Sequence, residues 1–290
     1  MSQTKVFPLI AALSSAAVLS FAALKPVSLS WLAATIGACL AFGSLSPLLV
    51  ARRMLFLGGA LPHAALLASA VGYISSIALD FNYFAAAAIA GALMSAAIGL
   101  AASRSADPDR VVAASIGLTA SLGVLTTYYV ASEYPGTLRV STLLLGDPLL
   151  AGEAEALGAL VFSMVVMISV SLIYKEVLLI GLQPNEAELT GLRARLYDAF
   201  FYCLLGLAVV TMLRIVGYVM THVLLLIPGS AGASASSSSR GALAASVAFS
   251  MSSAALSLFA SSLLDVSPNA VAGLVLLAIY VAIASRGRRG

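Results

Sequence analysis

Long apolar runs separated by short polar stretches organise the chain, and nothing in them alternates with a period of two, so helical spans are predicted rather than barrel strands. A span needs roughly 20 mainly apolar residues, because the hydrocarbon core is about 30 Å thick and each helical residue rises about 1.5 Å. Such runs fall near residues 8 to 24, 28 to 51, 57 to 79, 82 to 103, 111 to 132 and 154 to 174, then near 198 to 228, 241 to 264 and 268 to 285. The run from 198 to 228 is long for one crossing and short for two, and it contains Arg214 and Gly217. It reads either as one tilted helix or as a broken pair.

Charge placement decides between these, since cytoplasmic loops are enriched in Lys and Arg. Let the N-terminus lie inside and the long run turn back near Arg214. Lys5, Arg52, Arg53, Arg104, Arg110, Lys175, Arg193, Arg195, Arg240, Arg286, Arg288 and Arg289 are then inside, 12 residues, against 3 (Lys25, Arg139 and Arg214) outside or at the turn. A single crossing moves Arg240 and the three C-terminal arginines outside and leaves 8 against 7, hardly a bias. A broken pair with both termini cytoplasmic is therefore expected. The first 24 residues share Lys5, an apolar core and the small Ala22 and Ala23 with signal peptides, yet the stretch is long enough to cross and is read as a retained span.

Composition agrees. With 290 residues, 61% hydrophobic and 9% charged, the chain has too little polar surface to cover a soluble globule. The formal charge of +3 gives no case for nucleic acid, because the basic residues are scattered and form no stripe with interleaved aromatics. Cys39 and Cys203 lie inside apolar stretches without CxxC spacing and read as packing residues. The expected fold class is an all-α integral membrane protein, a polytopic helical bundle of about 8 to 10 spans including the broken pair, with residues 1–290 as one transmembrane domain.

Three segments carry a resemblance. The first runs from Arg52-Arg53-Met54 to Gly58-Gly59-Ala60-Leu61-Pro62-His63-Ala64. The second is Tyr174-Lys175-Glu176-Val177-Leu178-Leu179-Ile180, with Pro184, Ala187 and Gly191-Leu192 after it. The third is Leu213-Arg214-Ile215-Val216-Gly217, followed by Leu224-Leu225-Leu226-Ile227-Pro228. Together they resemble the RRM-x-x-x-GDALSHA, YKELLL-x-x-x-x-P-E-x-A-x-x-x-GL and VG-x-x-L-x-x-ALL-x-IPA segments of the membrane permeases of zinc, manganese and iron ABC importers, over roughly residues 30 to 285. The family's Asp is Gly59 here, its Ser is Pro62, and its Glu after Pro falls on Asn185, with Glu186 one place later.

The resemblance implies the fold of ABC metal-ion permeases, in the plasma membrane of a prokaryote. It implies a homodimer with a second permease copy, two ATPase subunits below and an extracytoplasmic solute-binding protein above. No G-x-x-x-x-G-K-[ST] phosphate cradle occurs in the chain, so ATP is expected to be used by a partner, and the chain is read as a transport subunit rather than an enzyme. No stably bound cofactor is expected. The cargo is a divalent transition-metal ion: zinc, manganese or iron.

The resemblance also places the ATPase-coupling segment just after Ile227-Pro228, at 229–240. Its expected residues are Pro228, Gly229, Ser230, Ser234, Ser236 and Arg240, with Glu186 in the neighbouring loop. The run of serines also reads as a flexible polar linker, and Glu186 with Glu188 as a solvated charged loop. Of the family's Asp and His metal ligands only His63 remains, and an ionisable group within a span is costly unless it faces the bundle interior or water. His222 is a second imidazole at mid-depth if the chain turns at Gly217. Either histidine also reads as a packing residue hydrogen-bonded to a neighbouring helix. Asp80, Glu133, Asp147 and Asp265 fall in expected external loops. A metal chelate as cargo, an ATP-independent carrier or channel, and a membrane enzyme are the alternatives; few charged groups within spans speak against the carrier, and the lack of paired acids speaks against the enzyme.

Overall fold

A computed structural model describes residues 29–134, 152–264 and 266–287. Helices α1 (Leu29–Ala51), α2 (Leu55–Leu79), α3 (Tyr83–Ser103), α4 (Pro108–Glu133) and α5 (Glu153–Leu182) come first. After them run the six-residue α6 (Pro184–Leu189), α7 (Ala194–Ala235), α8 (Ser239–Leu264) and α9 (Pro268–Gly287). All but α6 are long and apolar enough to cross a membrane, which makes this an all-α polytopic bundle. The expected span at 8 to 24 lies outside the described residues. Two helices run further than hydropathy alone predicts: α5 reaches Leu182, and α7 begins at Ala194 and ends at Ala235. Local chemistry sets several starts. Asn82 caps α3 by accepting from Ala85 N at 3.1 Å, and α4 opens on Pro108 with Asp107 accepting from Arg110 N at 3.3 Å.

The 42 residues of α7 do not form one rod, which would be roughly 63 Å long. Gly217 has φ 75° and ψ 173°, a conformation essentially confined to glycine, and it divides α7 into a first arm (194–216) and a second (218–235). Contacts fix the second arm's direction. Near the start of the first arm, Asp198 pairs with Arg52 in the α1–α2 turn. Just past the end of the second arm, Tyr174 of α5 donates to the Ser239 carbonyl at 2.7 Å, and Gly181 of α5 lies against the Ala51 backbone. Both ends of α7 thus sit at the Arg52 end of the bundle. The reversal sits towards the other end, where Arg214 meets Glu155 at the start of α5 and the Val216 carbonyl accepts from Asn269 at the start of α9. The broken pair is a hairpin.

Burial follows from this hairpin. Helix α7 packs against α1, α2, α3, α5, α8 and α9, whereas α4 touches chiefly α2 and α3. The most apolar stretch of α1 is 83% buried and that of α4 only 17%, so α1 and α7 form the centre and α4 a flank. Small residues bring the helices close, as expected where lipid supplies no hydrophobic drive between them: Ser246 of α8 donates to the Gly43 carbonyl at 2.7 Å, and Cys39 to the Ser250 carbonyl at 3.3 Å. Pro228 opens the second arm's hydrogen-bond ladder, and Ser46 of α1 fills the gap. Gly229 N donates to Ser46 Oγ at 2.9 Å, and that hydroxyl donates to the Leu225 carbonyl at 2.7 Å.

Candidate functional site

Two pairs of residues, each one helical turn apart, face one another inside the bundle. Gly59 and His63 lie on α2, and Tyr218 and His222 on the second arm of α7, both at i,i+4 spacing that puts them on one side of their helix. His63 stands eight residues past Leu55, about 12 Å along α2. The Tyr218 hydroxyl is 2.7 Å from His63 Nε2, and the rings meet edge to face at 5.3 Å. Nδ1 of His222 lies 3.0 Å from the Tyr218 carbonyl and its Nε2 lies 2.9 Å from the Gly59 carbonyl. Pro62 inside α2 lacks the N–H that would bond the Gly58 carbonyl, and the next carbonyl along, that of Gly59, is the one that His222 meets. The two imidazole centroids are 6.0 Å apart.

His63 is half-buried and borders a cleft of about 580 Å³, lined by Leu66, Tyr218 and the α4 residues Thr119, Gly123, Thr127 and Tyr128. Among the described residues no three or more His, Cys, Asp or Glu gather where they could hold a metal ion. The donors on hand are two imidazoles, a phenol and a backbone carbonyl. Chemically, such a set could offer a borderline transition metal only incomplete coordination.

The expected coupling residues divide. Pro228 and Gly229 are buried, and Gly229 abuts Ser46 so closely that no side chain fits there. Ser230 is half-buried and bonds back to the Leu226 carbonyl at 3.0 Å. Ser234 and Arg240 are exposed, with Ser236 half-buried between them in the short turn to α8. Glu186 is exposed on α6 at the same end of the bundle.

At the other end Asp80 and Glu133 are exposed, while Asp147 and Asp265 lie outside the described residues. Arg214 pairs with Glu155 at 3.1 Å and lies over the Phe84 ring at 4.6 Å from its centroid. Cys39 and Cys203 are free thiols, Cys39 fully buried. Two participants escape a reading of the sequence. Asp198 sits at the first position of an apolar run, and only its placement at a span edge hints at a role. Tyr218 carries one signal, its spacing of four from His222 directly after Gly217.

A family model described as the ABC 3 transport family matches residues 24–286. The manganese transport system membrane protein MntC of Listeria monocytogenes is 25% identical over 187 residues, 64% of each chain. The chelated iron transport system membrane protein YfeC of Yersinia pestis is 25% identical over 199 residues, 69% of this chain and 65% of that one. The manganese transport system membrane protein MntB of a Synechocystis strain is 25% identical over 251 residues, 87% of this chain and 79% of the relative. The match therefore spans just under two thirds of the first two relatives. Among solved structures, PsaBC from Streptococcus pneumoniae in complex with Fab has a TM-score of 0.76 at 18% identity, over 92% of this chain and 94% of that one. A metal-chelate type ABC transporter in an inward-facing conformation has a TM-score of 0.71 at 14% identity, over 98% and 99%. At these identities the two structures establish the fold.

Proposed function

Because this chain belongs to the ABC 3 transport family, we propose that it is the membrane permease subunit of an ABC importer for divalent transition-metal ions, zinc, manganese or iron. One observation carries the proposal: two imidazoles from different helices meet 6.0 Å apart inside the bundle, beside a cleft. The names of the manganese and iron relatives agree with this cargo.

The chain moves no ion alone. A second copy stands across a two-fold axis along the path and brings the cleft-lining faces of both copies together, so that the second copy's His63 helps complete the coordination. Two ATPase subunits dock at the Arg52 end, which the surplus of Lys and Arg makes the cytoplasmic one. The docking surface is formed by Ser234, Ser236 and Arg240 with Glu186, while the buried Pro228 and Gly229 transmit movement through Ser46 to α1. A solute-binding protein docks at the opposite, Arg214 end.

The test is ATP-driven zinc and manganese uptake into vesicles holding the permease and its partners, with His63→Ala normalised to assembled complex. Uptake should fall at least about tenfold, the lower bound for losing groups around a bound metal. Unchanged uptake per complex removes His63 from the path. A second reading, a metal chelate as cargo, is favoured by the cleft, whose volume of about 580 Å³ lies in the range of small-molecule sites.

A further inference from the structure

We infer that the groove between the end of α5 and the start of α7 binds one anionic phospholipid, with the phosphate at Arg193 and an acyl chain along Ile173, Leu196 and Phe200. The site is independent of the cargo and requires only that the chain spans a membrane. The groove has a volume of about 450 Å³, within the range of small-molecule sites. It lies at the Arg52 end of the bundle and shares no residue with the cleft beside His63.

The chain builds the groove where it turns back after α5. Gly191, at φ 73°, ends α6: Leu192 N donates to the Ala187 carbonyl at 3.2 Å and Gly191 N to the Glu188 carbonyl at 3.0 Å, the paired bonds of a Schellman cap. That turn brings Leu192 and Arg193 back beside α5, so that Ile173 supplies one wall and Leu196, Tyr197 and Phe200 the other. Leu196 and Phe200 lie one helical turn apart on the same face of α7, and they leave 59% and 47% of their surface exposed.

Depth and charge select the occupant. Basic residues mark the membrane surface at this end: Ile173 precedes Lys175 by two residues, and Phe200 follows Arg195 by five, about 8 Å along the helix. The floor of the groove therefore descends into the apolar run, while the exposed Arg193 stands at its rim. Among the described residues Arg193 has no ion-pair partner. Glu186 and Glu188 sit nearby on α6, yet no acidic side chain lines the groove, and the one acid of α7, Asp198, is taken up by Arg52. A phosphate at the rim takes charge-assisted hydrogen bonds from the guanidinium, and Tyr197 on the wall carries a further donor. A water-soluble ATPase reaches the rim but not the floor. A lipid fills both, as anionic headgroups do at basic pockets between spanning helices.

The experiment is native mass spectrometry of the purified full-length protein, alone and assembled with its ATPase, titrated with dioleoyl phosphatidylglycerol or dioleoyl phosphatidylcholine. Each wild-type chain should hold one phosphatidylglycerol about fivefold tighter than phosphatidylcholine, the share of one basic residue near a membrane surface. R193Q should bring phosphatidylglycerol down to the phosphatidylcholine level. L196W, which fills the groove with a larger ring, should weaken both lipids, and R110Q, which removes a charge outside the groove, should keep the preference. Excess inorganic phosphate should not displace the lipid. An R193Q protein that keeps the preference, or a wild type indifferent to the headgroup, overturns the inference. Displacement by inorganic phosphate would mean a free-anion site, and release of the lipid on ATPase binding would assign the groove to that contact; either overturns it too. None of these results touches the permease reading, which uptake in vesicles tests separately.

Discussion

The two arms of α7 are both apolar helices of one merged run, yet they are held in different ways. The first arm is anchored at both ends by arginine: Asp198 pairs with Arg52 at one end, and its own Arg214 reaches Glu155 and Phe84 at the other. Along its length it lies so close to α3 that Gly206 abuts the Gly91 backbone. The second arm carries no Asp, Glu, Lys or Arg. It is held by hydrogen bonds through opened carbonyls, at Ser46 with Leu225 and at His222 with Gly59. Hydrogen bonds between neutral groups are worth about 1 kcal/mol net, and they are exchanged more cheaply than a buried charge is uncovered. On the proposed permease reading, the first arm would serve as the fixed wall of the path and the second as the one that shifts.

The strongest way to break the contrast is at the buried anchor. The Arg52 and Asp198 side chains are 6% and 10% exposed, so Asp198→Ala leaves a guanidinium in a poorly hydrated place without its charge partner, keeping only the Tyr202 hydroxyl at 3.3 Å. The expected loss is about 3 to 5 kcal/mol. It is read as a lower temperature at which detergent-solubilised protein loses its monodisperse state. The double variant Arg52→Met, Asp198→Leu should recover most of it, because no charge is then left unpaired. An Asp198→Ala protein as stable as wild type would falsify the anchored account of the first arm.

That anchor also marks the limit of what the sequence discloses. Span positions are legible because lipid demands about 20 apolar residues per crossing, a constraint that neighbours cannot override. The hairpin is legible because a glycine sits inside an overlong run and the charge balance requires the return. His63 and His222 stand out because ionisable groups within apolar runs are rare. Asp198 does not, since its partner Arg52 is 146 residues away and only packing brings them together. The stretch after Pro228 reads two ways in the sequence for a related reason. Glycine, alanine and serine are what a linker and a close helix contact both use, and Gly229 is buried while Ser234 is exposed.

The joint between the arms gives a smaller effect. Gly217→Ala places a side chain on a backbone at φ 75° and ψ 173°, at a cost of about 1 to 3 kcal/mol. Tyr218 is the next residue, so any relaxation moves its hydroxyl away from His63. Gly217→Ala should therefore lower stability less than Asp198→Ala and lower metal uptake per assembled complex more. The reverse order in uptake would mean that the second arm's position does not depend on the turn.

The smallest effect is expected at the exposed anchor. Arg214 and Glu155 also form an ion pair, at 3.1 Å, but their side chains are 38% and 49% exposed. Water screens the charges and the long side chains lose entropy when held, so an exposed pair contributes about 0 to 1 kcal/mol. The Phe84 ring adds about 0.5 to 1 kcal/mol of cation–π attraction, which an uncharged side chain forfeits. Glu155→Gln should then be nearly silent, and Arg214→Gln should cost slightly more because it loses both contacts. Added salt separates the two contributions: it should weaken the wild type's advantage over Glu155→Gln and leave most of the Phe84 share intact. An Arg214→Gln loss as large as that of Asp198→Ala would mean that the reversal is pinned as firmly as the start of the arm, and the contrast between the buried and exposed anchors would go.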